Sequence, residues 1–140
     1  MDLTKQYPRS PYDKTAGGYV MLGRTVDKAR AKLENALGEY MYDCPLDQRL
    51  FEFLEIDAES LLDAVKTRPT DDVVVEWVKE NQTPRDEADI EAFNEKISRL
   101  GPEDAESKQY FEDIRQKVAP ARSDLDSWFD LIEAEEGRLS

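Results

Sequence analysis

Residues 17–47 read GGYVMLGRTVDKARAKLENALGEYMYDCPLD, and the spacing inside this stretch sets the fold class. From Leu22 the apolar positions run Leu22, Val26, Ala29, Leu33 and Ala36, the repeat of one buried helix face. The other side carries Arg24, Asp27, Lys28, Arg30 and Lys32. The spacing predicts a helix over 19–37, entered through Gly17-Gly18 and closed at Gly38, where glycine accepts the left-handed conformation that ends helices. A loop rich in tyrosine follows and leads to Cys44-Pro45, where Cys44 is expected as N-cap, Pro45 at the first helical position and Asp47 in the first turn.

Working outward, Pro45–Leu54 reads as a helix burying Leu46, Leu50, Phe53 and Leu54. Asp57 caps a short helix over Ala58–Thr67, and Thr70 caps another over Asp71–Asn81. Val73-Val74-Val75 alone would suit a strand, but the acidic residues after Thr70 and the later Trp77 and Val78 favour helix. Thr83-Pro84 opens a helix with Ile90, Phe93, Ile97 and Leu100 inward, ended by Gly101-Pro102. A helix over Ala105–Ala119 buries Tyr110, Phe111, Ile114 and Val118, and the last, Asp124–Glu136, buries Leu125, Trp128, Phe129 and Ile132. No alternating strand pair and no internal repeat occurs. The expected architecture is all-α: one compact domain over residues 1–140 with six or seven mostly short helices, residues 1–18 forming an extended arm and loop and 19–136 the helical body. Pro8 and Pro11 within YPRSPY favour that extended geometry.

Charge is distributed unevenly. Residues 1–50 carry eight Lys/Arg and seven Asp/Glu, net +1, whereas residues 51–140 carry 11 and 25, net −14. An acidic protein repels nucleic-acid phosphates and anionic lipid, so neither is an expected partner. The absence of a long apolar run and of a secretory h-region points to a cytoplasmic protein. One cysteine and no histidine leave no internal disulfide, no Cys-based zinc site and no imidazole base, and no cofactor is expected.

Five of the six tyrosines, Tyr7, Tyr12, Tyr19, Tyr40 and Tyr42, fall within the first 42 residues, which suits either a pocket wall or an arm packed on a loop. Arg24 and Lys28 are i, i+4 neighbours whose like charges call for something negative nearby. One reading supplies it internally, from Asp27, Asp47 or the acidic second half. The other assigns Arg24, Lys28, Arg49, Cys44, Asp47 and the hydroxyls of Tyr19, Tyr40 and Tyr42 to a phosphate or carboxylate ligand. Two further functions stand beside small-anion binding: a protein–protein interaction module, and an enzyme using Cys44 or Asp47 with Arg24 and Lys28 as electrophilic groups. Cys44 has no histidine to serve as base, and 32 acidic residues make pairs such as Asp43 and Asp47 expected by chance. No EF-hand loop, phosphate-binding glycine loop or nucleophile elbow is present. The sequence specifies neither the ligand nor the oligomeric state.

The runs GGYVMLGRTVDKARAKL, GEYMYDCPLDQR and SDLDSWFDLIEAEEG resemble a bacterial family catalogued as domain of unknown function 5069, over essentially the whole chain. The resemblance implies no activity, because the family has none established. Its pattern often has Pro at Gly23 and His at Met41, so a role requiring an imidazole at position 41 could not operate here.

Overall fold

A computed structural model describes residues 1–139. Among them there are seven helices and no strand: α1 (Leu22–Leu33), α2 (Pro45–Leu54), α3 (Ala58–Lys66), α4 (Asp71–Asn81), α5 (Glu87–Ser98), α6 (Ala105–Val118) and α7 (Trp128–Glu135). The protein is all-α. Two compact units can be distinguished, Met1–Phe93 and Asn94–Ser140.

In the first unit α1 packs on α3 and α3 on α4. Its core is built from Leu22, Val26 and Ala29 of α1 with Leu50, Phe51, Leu54, Leu61, Val65, Val74 and Val78, all buried. Spaced every three or four residues, these side chains bring four helix stripes together, and each large one buried contributes about 1.5–3 kcal/mol. In the second unit α6 packs on α7 around Phe111, Leu125 and Leu131, with Trp128 set edge-on to Phe111 at 5.3 Å.

The N-terminal arm is tied down along α1. Leu3 N–H donates to Ala36 O at 2.9 Å, Arg9 reaches Asp27, and Met21 N–H donates to Pro11 O at 2.9 Å. Rising residue numbers in the arm thus meet falling numbers around α1, so the arm runs antiparallel to the helix. Gly17 makes the entry possible: its φ is +69°, and a Cβ there would lie 2.9 Å from Val75 Cγ1.

Several expected boundaries move. α1 starts at Leu22 rather than Tyr19 because Met21 takes φ 68°, outside the helical range. It ends at Leu33, four residues before the expected stop, and the residue that ends it is Asn35, not Gly38. Asn35 is left-handed at φ 55°, its N–H bonds Lys32 O at 3.1 Å and Ala36 N–H bonds Ala31 O at 2.8 Å, the paired bonds of a Schellman closure. Leu33, expected inside, is 40% exposed. α5 begins at Glu87 rather than at Thr83-Pro84, because Asp86 and Asp89 exchange side-chain to backbone bonds while Thr83 N–H is used by Leu54 O at 3.1 Å. α7 begins at Trp128 instead of Asp124, since Ser127 Oγ accepts from Asp130 N–H at 3.1 Å and so caps the helix there. Tyr110, expected in the core, is 61% exposed.

Candidate functional site

The sequence set Arg24, Asp27 and Lys28 on the open side of α1; the structure buries all three, each at most 5% exposed. Their side of the helix is covered by the arm, by the loop over 34–44 and by the start of α2. Lys28 Nζ donates to Asp47 Oδ2 at 2.7 Å, to Met41 O at 3.1 Å and to Cys44 Sγ at 3.4 Å. An ammonium has three protons, so its donor capacity is filled.

Asp47 is equally occupied. Oδ1 accepts from Thr25 Oγ1 at 2.7 Å, and Oδ2 accepts from Lys28 and from the backbone N–H groups of Asp43 at 3.0 Å and Cys44 at 3.2 Å. One fully buried carboxylate thereby joins α1, the loop and the N-terminus of α2. Cys44, with extended φ and ψ, is the N-cap of α2 and Pro45 its first residue, as the sequence implied. Burying a Lys–Asp pair is costly unless the remaining lone pairs and protons are satisfied, and here hydroxyl, amide, carbonyl and thiol partners supply that satisfaction.

The neighbouring ties follow the same pattern. Arg24 Nη1 donates to Arg9 O at 3.2 Å while its guanidinium lies over the Tyr40 ring, 5.5 Å from the centroid. Arg30 Nη1 donates to Arg68 O at 3.1 Å, and Arg30 Nη2 approaches Asp71 Oδ1 at 3.4 Å. Arg24, Lys28 and Arg30 therefore each hold a backbone carbonyl of a different segment: the arm, the loop and the α3–α4 turn.

Arg9 had no role in the sequence reading. Its guanidinium grips Asp27 through Nε at 3.1 Å and Nη2 at 3.0 Å, its N–H adds a bond at 2.9 Å, and Nη1 reaches Asp71 at 2.9 Å. Burial pulls this arginine down, but the Asp27 and Asp71 carboxylates outweigh it and hold it above its ordinary value. The group lies against Gly23, where a Cβ would come within 3.0 Å of Arg9 Cζ. Nothing local in YPRSPY signals this long-range pairing; Thr25, by contrast, stands three residues before Lys28 and so faces the same way.

The remaining candidate residues go elsewhere. Tyr19 is fully buried, hydrogen-bonds Gln82 through its hydroxyl and meets Phe53 edge-on at 6.4 Å. Tyr42 donates its hydroxyl to Ala58 O at 2.6 Å and packs on Phe51; burial, then the charges of Asp47, Asp43 and Asp57, push its phenol well above the ordinary value. Arg49 is exposed on α2, and its side chain makes no hydrogen bond or ion pair with a described residue. The structure brings Lys28, Cys44 and Asp47 into one cluster, places Arg24 and Tyr40 beside it, and sets Tyr19 and Arg49 apart. Among the described residues no group of three or more Cys, Asp or Glu side chains could hold a metal ion, and no helix is long and apolar enough to cross a membrane.

Residues 5–138 match the family described as "Domain of unknown function (DUF5069)", and no curated protein matches the chain. The chain belongs to that family.

Proposed function

We propose that this member of the DUF5069 family works by binding, and that what it binds is another protein, read through side chains of the arm and the loop. The observation that carries this is the occupation of the basic groups. A small phosphate or carboxylate would have to reach Arg24 and Lys28, which are 5% and 3% exposed, and displace an Asp47 carboxylate held by four hydrogen bonds. The same burial keeps Lys28 and Asp47 from any external substrate on which an acid–base or nucleophilic mechanism would act. Among the exposed side chains of the arm and loop, most of them polar, stand three large ones: Tyr7 is 56% exposed, Tyr12 38% and Met41 62%. Tyrosine and methionine are the side chains that interfaces favour, offering large contact area with a polar or adaptable tip.

The test compares partners retained from an extract of the source cells by the wild type, by Tyr7→Ser with Met41→Ser, and by Arg49→Ala. A protein held by the wild type and by Arg49→Ala, but lost from the Tyr7/Met41 variant without any change in its melting temperature, is the expected result. A thermal-shift screen against phosphorylated and carboxylate metabolites runs beside it. A metabolite that raises the melting temperature of the wild type but not of Arg24→Ala would overturn the reading and establish a small-anion site.

A further inference from the structure

The Lys28–Cys44 contact is the one place in Met1–Phe93 where a nucleophilic sulfur touches a side chain with which it could react. Lys28 Nζ lies 3.4 Å from Cys44 Sγ and is fixed there by Asp47 at 2.7 Å and Met41 O at 3.1 Å, so the nitrogen cannot swing away. Cys44 is half-buried and so within reach of a small oxidant, while Lys28 is 3% exposed. The chain contains a single cysteine, so a sulfenic acid formed at Cys44 has no second thiol in the molecule to resolve it. Sulfenic acids also condense with nitrogen, and the nitrogen in contact with this one is the Lys28 amine.

We propose that peroxide converts this contact into a covalent sulfur–nitrogen link that staples α1 to the start of α2. In the first step Cys44 sulfur takes one oxygen from hydrogen peroxide; the O–O bond breaks, sulfur loses two electrons, and the peroxide is reduced to water and the sulfenic hydroxyl. In the second, Asp47 takes one proton from the Lys28 ammonium across the 2.7 Å hydrogen bond. The freed nitrogen lone pair then attacks sulfur as the S–O bond breaks. A second nitrogen proton leaves with the hydroxyl as water, and the third stays on the linked nitrogen. Overall one thiol, one ammonium and one peroxide give the link, two waters and a proton held by Asp47. A reducing thiol reverses it by attacking sulfur and releasing the amine.

The test is peptide mapping of the folded wild-type protein under non-reducing conditions after titration with hydrogen peroxide. The expected product joins the Lys28 and Cys44 peptides at a mass two hydrogens below their sum, disappears with dithiothreitol and is absent from Cys44→Ser. The oxidised wild type melts higher than the reduced form, because closing the 28–44 loop restricts the unfolded chain, whereas Cys44→Ser shows no rise. In Lys28→Arg, which keeps a cation for Asp47, Cys44 proceeds to sulfinic acid instead. Recovery of wild-type Cys44 as free thiol, as sulfinic acid or as an intermolecular disulfide, beside an unmodified Lys28 peptide, would overturn the proposal.

Discussion

Replacing Asp47 by Asn keeps the volume and most of the hydrogen-bonding shape but removes the one carboxylate that Lys28 bonds. Lys28 would be left 3% exposed with its charge uncompensated, its other two bonds going to a carbonyl and a thiol. Removing one partner of a buried ion pair costs about 3–5 kcal/mol. Against a total stability of roughly 5–15 kcal/mol that is a large fraction. At about 2–4 °C per kcal/mol for a chain near this size, the melting temperature should fall by roughly 6–20 °C. Urea denaturation should move its midpoint by a matching amount, and Lys28→Met combined with Asp47→Asn should recover part of the loss, because no charge then remains buried. An Asp47→Asn variant that melts within a degree or two of wild type would refute the burial of a charged Lys28. A double variant that loses the sum of the two single losses would refute the coupling between the two side chains.

Gly23→Ala, which in a helix ordinarily gains about 0.5–1 kcal/mol, should here destabilise, since its Cβ would meet the Arg9 guanidinium at 3.0–3.2 Å; in an Arg9→Ala background the ordinary gain should return, as denaturant titration of all four proteins would show. Tyr42 has its folded-state value raised above the ordinary 10.0, so the stability it contributes is present below pH 10 and declines as pH rises past it. Melting curves taken from pH 8 to about 11 should therefore show a steeper loss for wild type than for Tyr42→Phe. Asn35→Gly should stabilise by a few tenths of a kcal/mol, because glycine accepts φ 55° without strain, and Asn35→Val should destabilise.

The helices were legible because their signals are local. Asp57 and Asp104 accept from the N–H groups of Ser60 at 2.8 Å and Ser107 at 2.7 Å, short-range bonds that a sequence pattern can anticipate. Cys44-Pro45 opens α2 at the expected residue for the same reason. What could not be read was the direction each polar side of α1 faces. A helix with charges opposite its apolar stripe is ordinarily open to solvent there, and this one is closed by the arm, the loop and the start of α2, bonded to α1 by residues 13 to 22 positions away in sequence. Of the candidate residues, Lys28, Cys44 and Asp47 meet because the loop that joins α1 to α2 is short and turns back onto the helix. Tyr19 was grouped with them by composition alone, whereas position 19 precedes α1 and its side chain turns toward Phe53 and Gln82.

The near-neutral charge of residues 1–50 takes on a different meaning once the bonds are known. Its positive and negative groups almost cancel, and several of them are paired: Lys28 with Asp47, Arg9 with Asp27, and Glu34 with the Met1 amino group. Asp71, from the acidic remainder, adds a negative group between Arg9 and Arg30. Arg9, Arg24, Lys28 and Arg30, half of the Lys and Arg in these residues, therefore belong to a network of internal ties and not to a basic surface. The pairs differ in burial: the Glu34 and Asp71 side chains are 61% and 42% exposed, whereas those of Lys28 and Asp47 are 3% and 0%. Exposed ion pairs contribute about 0–1 kcal/mol each, but Lys28–Asp47 sits where removal of either member strands a charge. Arm, loop and the start of α4 are all attached to α1 through such groups, so perturbing the helix's polar side should loosen all of them together. Tyr7, Tyr12 and Met41 are thereby presented from segments that have no helical structure of their own but are anchored to one that does.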